Sequence, residues 1–158
     1  MMHLHKFEKI WLIFGIAMLT VFLGIVGVQA FAQGQTPAGG MKKIDPEKVD
    51  VTAPFDNPGV HQIDDDTYEV VIKAMAYGYE PSEIKVPAGK EIIFKVTSKD
   101  VIHSFTIPRT KVNMMVVPGQ VNEKSYTFRD PGTYLILCNE YCGTGHHFMH
   151  TEIEVVEE

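Results

Sequence analysis

The stretch CNEYCGTGHHFMH, residues 138–150, gathers both cysteines of the chain, three of its seven histidines and a methionine. Thiolate, imidazole and thioether are soft donors, a set that suits copper better than magnesium or calcium. Their spacing is Cys138-x-x-x-Cys142-x-x-x-His146-x-x-Met149. Gly143 and Gly145 let the intervening chain turn tightly and bring these donors towards one point. His103, in VIHSF, opens a strand-like run after the polar TSKD and fits as a further imidazole. A mononuclear blue-copper site uses one Cys, two His and a weak axial Met, so this loop carries one cysteine more than such a site needs.

Other readings compete for the same residues. The two cysteines would make a disulfide if the loop brought them close enough. His103, Cys138, Cys142 and His146 satisfy the count for structural zinc, but the usual C-x-x-C pair is missing and zinc has no use for Met149. His146 and His150 stand four apart without an H-E-x-x-H helix, which argues against a zinc hydrolase. Met149 taken alone would be core filling. His3, His5 and His61 lie on flanks and in linker sequence, and His147 and His150 read as neighbours of the site, not ligands.

These donors need a rigid frame. From about Thr67 the sequence breaks into short runs rich in Val, Ile, Tyr and Phe: TYEVVIKAMAY, SEIKVPAG, KEIIFKVTS, HSFTIP, EKSYTFRD, GTYLILC and TEIEVVE. Turn residues punctuate them at 87–89, 118–119 and 130–132. Alternation in IIFKV and YTF places one face inward and one in water. About seven short strands over residues 63–158 predict an all-β, antiparallel sandwich, with the donor loop leaving the end of GTYLILC. Residues 33–62 are rich in Gly and Pro without apolar periodicity and read as an extended linker.

Residues 10–28 carry no charge and no proline. A run of that length spans a bilayer as a helix, and signal-peptide cores are shorter, roughly 7 to 15 residues. Trp11 sits where an interfacial anchor would. Although Ala30-Phe31-Ala32 resembles a cleavage site, the expectation is a retained transmembrane helix over 10–32, following a cytoplasmic flank over 1–9. Lys6 and Lys9 before it are matched by Lys42 and Lys43 after it, so charge bias orients it only weakly; a long domain translocates regardless, which puts residues 63–158 outside. The formal net charge of −6 disfavours nucleic acid and mildly favours a basic partner. Asp64, Asp65 and Asp66 are candidates to steer one, but read better as solvated.

With strand, loop and donors assembled, the sequence resembles subunit II of the haem-copper cytochrome c oxidases. Its motif C-x-E-x-C-x-x-x-H-x-x-M is met by Cys138, Glu140, Cys142, His146 and Met149, with VIHSF supplying His103. EKIWLIFGIAMLTVF and AMAYGYEPSEIKVPAGKEIIFKVTSKDVIHSF look most like the B-type (ba-type) subunit of thermophilic bacteria, which has one helix. The resemblance implies a cupredoxin fold and a dinuclear copper centre, CuA. There Cys138 and Cys142 bridge two copper ions, His103 and His146 cap one each, and Met149 and the Glu140 carbonyl complete the set. It implies electron transfer from a c-type cytochrome to haem in subunit I, which also bears CuB, where dioxygen is reduced to water with proton pumping; this chain alone has no oxygen site. It allows for a small additional subunit, and implies a bacterial or archaeal plasma membrane. By position, Tyr77 and Tyr79 are candidates to face the donor, or else aromatics of a strand core or edge. One departure stands out: the B-type pattern has glutamine where this chain has Glu140, as the mitochondrial-like type does, and there that side chain reaches magnesium at the subunit I boundary. The alternative in another class is a free-standing, membrane-tethered copper relay or carrier. Nitrous oxide reductase would need a further large domain, and quinol oxidases lack the copper ligands.

Overall fold

The computed structural model describes residues 5–32 and 42–157, in two units that are taken separately below. The first is helix α1, Lys6–Phe31, whose amino end is closed by the His5 N–H donating to the Glu8 carboxylate at 2.7 Å. Its 26 residues rise about 39 Å, more than the roughly 30 Å of a bilayer's hydrocarbon core. None of its side chains is buried and it is apolar all round. Such a surface is costly in water and at home in lipid. The helix starts before the expected residue 10 because Lys6, Glu8 and Lys9 are themselves good helix formers and the Glu8 carboxylate caps the His5 N–H.

The second unit is a sandwich of two sheets. The strands are β1 (Lys42–Lys43), β2 (Gly59–Gln62), β3 (Thr67–Met75), β4 (Gly78–Glu80), β5 (Glu83–Pro87), β6 (Glu91–Ser98), β7 (His103–Thr106), β8 (Asn113–Val116), β9 (Gln120–Thr127), β10 (Gly132–Leu137) and β11 (His150–Val156). One sheet runs β1-β9-β6-β3-β2, with β4 also on β3; the other runs β5-β11-β10-β7-β8. All seven expected runs are strands. The expected all-β sandwich is found and most of its pairings are antiparallel, but β3 pairs β6, and β5 pairs β11, in parallel. Alternation reports which face of a strand is buried and is silent on the direction of its neighbour. Direction is set here by β5 crossing to the second sheet before β6 returns beside β3.

Between the sheets Phe94, Phe105, Phe128, Ile72, Ile92, Ile136 and Ile153 are fully buried. The aromatic rings meet edge-on or tilted, Phe94 against Phe105 at 5.4 Å and against Phe128 at 6.3 Å. Cys138, Cys142 and Met149 belong to this same cluster, so the donor loop is built on the end of the main core.

The expected linker over 33–62 also needs correction. Residues 33–41 lie outside the described residues, but residues 42–62 are folded onto the sandwich. Asp45 caps a short 3-10 helix, Pro46–Val51, by accepting from the Glu47 N–H. Ile44, Val49 and Phe55 then close over Val71 and Val121 on the outer face of the first sheet, with Phe55 fully buried. Three isolated apolar residues suffice for this, and they leave no periodicity to read. A charged clamp completes the closure. Buried Lys73 reaches Asp50 and Glu80, each at 2.9 Å, and Lys99 reaches the other Asp50 oxygen at 2.6 Å. Asp64 and Asp66 form the β2–β3 turn, where Asp64 accepts the Asp66 N–H and Asp66 pairs with Lys90, which gives this acidic run a structural role.

Hydrogen bonds from Lys99 and then Lys73 hold the Asp50 carboxyl below its ordinary value of 3.8. A depressed carboxylate stabilises the fold above its unfolded pKa and loses that contribution as pH falls through its folded one. We therefore expect Asp50→Asn to lower the thermal midpoint of the second unit at pH 7, and the gap to the native chain to close as both are titrated below pH 3.8; melting curves against pH check this.

Candidate metal centre

Strand β10 ends at Leu137, which is paired to Thr106 on β7 and to His150 on β11. The loop between Leu137 and His150 is pinned at its neck, where the Cys138 N–H donates to the Met149 carbonyl at 3.3 Å. Inside, one 3-10 turn, His146–Phe148, is held by His146 N–H to the Gly143 carbonyl and Met149 N–H to the His146 carbonyl. The Asn139 N–H donates to Ser104 Oγ and so ties the loop to β7. His103 is the first residue of β7, next to β10 in the sheet, which delivers the distant imidazole to the loop.

All six residues singled out from the sequence meet here. The Cys138 and Cys142 sulfurs are 4.0 Å apart, as free thiols. That is about twice a disulfide bond length, and the disulfide reading fails. His103 Nδ1 lies 4.0 Å from Cys138 Sγ, and the Glu140 carbonyl oxygen 3.2 Å from the same sulfur. His146 Nδ1 lies 3.6 Å, and Met149 Sδ 3.5 Å, from Cys142 Sγ. His103 is fully buried, Cys138, Cys142 and Met149 nearly so, and His146 half-buried. The donor atoms of His103, Cys138 and Cys142 all fall within 4.8 Å of one another, which is room for a metal to share them. His147 and His150 are exposed.

Around the donors lies a layer the sequence did not disclose. Asp100 Oδ1 is 2.7 Å from His103 Nε2. Burial alone would raise this carboxyl, but hydrogen bonds from His103, Ala76 and Val101 outweigh it and hold it below 3.8. An ionised carboxylate only accepts, so Nε2 carries the proton and donates. In the neutral ring that makes Nδ1 the acceptor nitrogen, and it is the one facing Cys138. The same carboxylate accepts the Ala76 N–H at 2.6 Å and the Val101 N–H at 2.7 Å. The three-residue offset from Asp100 to His103 was the available signal.

Tyr79, one of the two candidate donor-facing tyrosines, is buried instead: its hydroxyl donates to the Ser104 carbonyl at 2.5 Å and its ring meets Phe105 edge-on. Burial, and next the two cysteines beside it, push its phenol well above the usual range. Tyr77 is 43% exposed and lies over the loop. Burial, followed by Cys138 beside it, pushes the Cys142 thiol up to about 11. At neutral pH the metal-free thiol keeps its proton, so a metal must displace it to bind.

Fold and donor set together define a cupredoxin-like domain that carries a soft-metal site. The family model for the periplasmic domain of cytochrome c oxidase subunit II matches residues 63–156. Cytochrome c oxidase subunit 2 of Thermus thermophilus is 43% identical over 155 residues, 96% of this chain and 92% of the relative. Among solved structures, a chain of a heme-copper terminal oxidase dimer superposes with a TM-score of 0.81 at 29% identity, covering 96% of this chain and 100% of that one. The periplasmic domain of subunit II of cytochrome oxidase from Bradyrhizobium japonicum gives 0.54 at 27% identity, covering 57% and 84%. This chain belongs to the cytochrome c oxidase subunit II family, and hence to a haem-copper terminal oxidase, an oxidoreductase complex.

Removing an outer-shell partner of a metal-ligating histidine costs about 10- to 100-fold in metal affinity. We expect Asp100→Asn to weaken copper retention by about that factor and also to lower the melting temperature of the metal-free chain, because an amide cannot accept from His103, Ala76 and Val101 together; competition against a chelator of known affinity and a melting curve measure the two effects.

Proposed function

We propose that this chain is the electron-entry subunit of its oxidase and that its site holds two copper ions. The observation that carries this reading is that each sulfur has its own imidazole: His103 beside Cys138 at 4.0 Å, His146 beside Cys142 at 3.6 Å. A single copper with one thiolate and two imidazoles would leave the second cysteine without a purpose, and here the two sulfurs are equivalent in company. In this reading Cys138, Cys142, His103, His146, Met149 and the Glu140 carbonyl would together hold the two ions, with both thiolates and one imidazole available to each. When bound, such a pair supplies a one-electron relay whose charge change is spread over two ions.

The chain's own residues do the rest. Asp100 fixes His103 in the tautomer that presents Nδ1. The core beneath Cys138, Cys142 and Met149 keeps water out, and the strands on either side of the loop hold the donors still, so little rearrangement accompanies a change of charge. Electrons arrive singly from a c-type cytochrome and leave to haem in subunit I, the subunit with CuB, where oxygen is reduced to water and protons are pumped. Helix α1 anchors the chain in the plasma membrane of a bacterium or archaeon with Lys6 and Lys9 on the cytoplasmic side and the copper domain on the outer face. The Glu140 side chain is half-exposed beside its metal-facing carbonyl, and a carboxylate there suits magnesium at the boundary with subunit I. A small further subunit is compatible with this arrangement. A stand-alone relay or copper carrier is not favoured, since a chain that is similar over 96% of the length is an oxidase subunit.

The test is the full chain in detergent, loaded with copper and then assayed for metal content and by electron spin resonance. Two coppers per chain, with hyperfine structure from one electron shared equally by two nuclei, is the expected result. One copper with single-nucleus splitting, or zinc alone, would overturn it.

A further inference from the structure

The β3–β4 hairpin turns on just two residues, Ala76 and Tyr77, between the paired Met75 and Gly78. Tyr77 takes a φ of 104°, in the region that side chains avoid and that glycine or asparagine usually occupies. The hairpin keeps a tyrosine there, although glycine follows it directly at Gly78. An observed outlier of this kind asks for a function.

That backbone lays the phenol ring on the donor loop. A β-carbon on Gly145 would sit 2.7 Å from the ring's Cγ and 2.8 Å from both Cδ atoms, and one on Gly143 would sit 2.9 Å from its hydroxyl. The hydroxyl is also 3.2 Å from Thr144 Oγ1. The two glycines differ in what they explain. Gly143 has a φ of 127° and needs to be glycine for its own backbone. Gly145, at φ −91°, does not. The ring above it is what a side chain there would meet first. Residues 143–145 join Cys142 to His146, and the other residue of the same turn is fastened by the Ala76 N–H to Asp100, which holds His103.

Resting on the copper reading above, we propose that Tyr77 is a positioning residue of the metal centre. Its ring clamps residues 143–145 against the hairpin and so fixes Cys142 relative to His146, and the strained backbone at Tyr77 is what places the ring there. Tyr77 touches no donor atom in this role; it acts through the two glycines and Thr144.

The experiment uses the full chain in detergent. Tyr77→Gly relaxes the backbone and deletes the ring, so a residue that served only the turn would leave this variant at least as stable as the native chain. The clamp predicts the opposite at the site: copper lost to a chelator roughly five- to ten-fold faster, altered copper hyperfine splitting, and faster amide hydrogen exchange over residues 143–148. Tyr77→Phe keeps the ring, loses only the Thr144 contact, and should restore most of the native behaviour. Gly145→Ala should speed copper loss in the native background and add little on top of Tyr77→Gly, because the obstacle is then gone. Should Tyr77→Gly not fold, Tyr77→Asn, which also suits a positive φ, takes its place. Native rates of copper loss and exchange in Tyr77→Gly, or equal harm from Gly145→Ala in both backgrounds, would overturn the proposal. Exchange on the metal-free chain decides the clamp even if the native protein fails to take up two coppers, so the two readings fail separately.

Discussion

The structure depends on keeping two buried thiols close without letting them join. Their sulfurs stand 4.0 Å apart at the end of the main core, near enough to share a metal and too far to bond. This spacing is imposed from outside the pair. The backbone bond from Cys138 to the Met149 carbonyl closes the loop at its neck, and the β10–β11 and β7–β10 pairings hold that neck in the sheet. A buried thiol beside another resists ionisation, as the raised Cys142 shows. The metal-free Cys142 thus keeps its proton at neutral pH and packs with the core until a cation arrives to stabilise its thiolate.

Asp100 is the second organising point. One carboxylate takes hydrogen bonds from a ring nitrogen, the Ala76 N–H at the β3–β4 turn and the Val101 N–H of its own turn. The carboxylate keeps about a third of its surface in solvent, and the donors that meet it belong to different segments. Accepting from all of them ties the hairpin, the β6–β7 turn and His103 into one unit.

Most of the frame was legible because the chemistry is local. Strands such as Ile92-Ile93-Phe94-Lys95-Val96 alternate, the donor loop follows a strand, and soft donors at close spacing have few other uses. What escaped was set by contacts distant in sequence. The strand β8, residues Asn113-Met114-Met115-Val116, is weak in β-branched residues and forms because β7 is beside it. The parallel pairings follow from chain routing, not residue type. At the site the six donors could be named, whereas Asp100 and the ring of Tyr77 on Gly145 could not, since their partners are fixed only once the turns have folded.

The segment over residues 42–62 changes where the folded unit begins. The family match starts at residue 63, and a shortened soluble form cut there would seem natural. Such a cut would remove Ile44, Val49 and Phe55 from above Val71 and Val121, and Asp50 from Lys73 and Lys99. The bared sheet would present an apolar face and an under-paired buried lysine, a recipe for self-association. The smallest self-contained version of this domain starts ahead of Ile44.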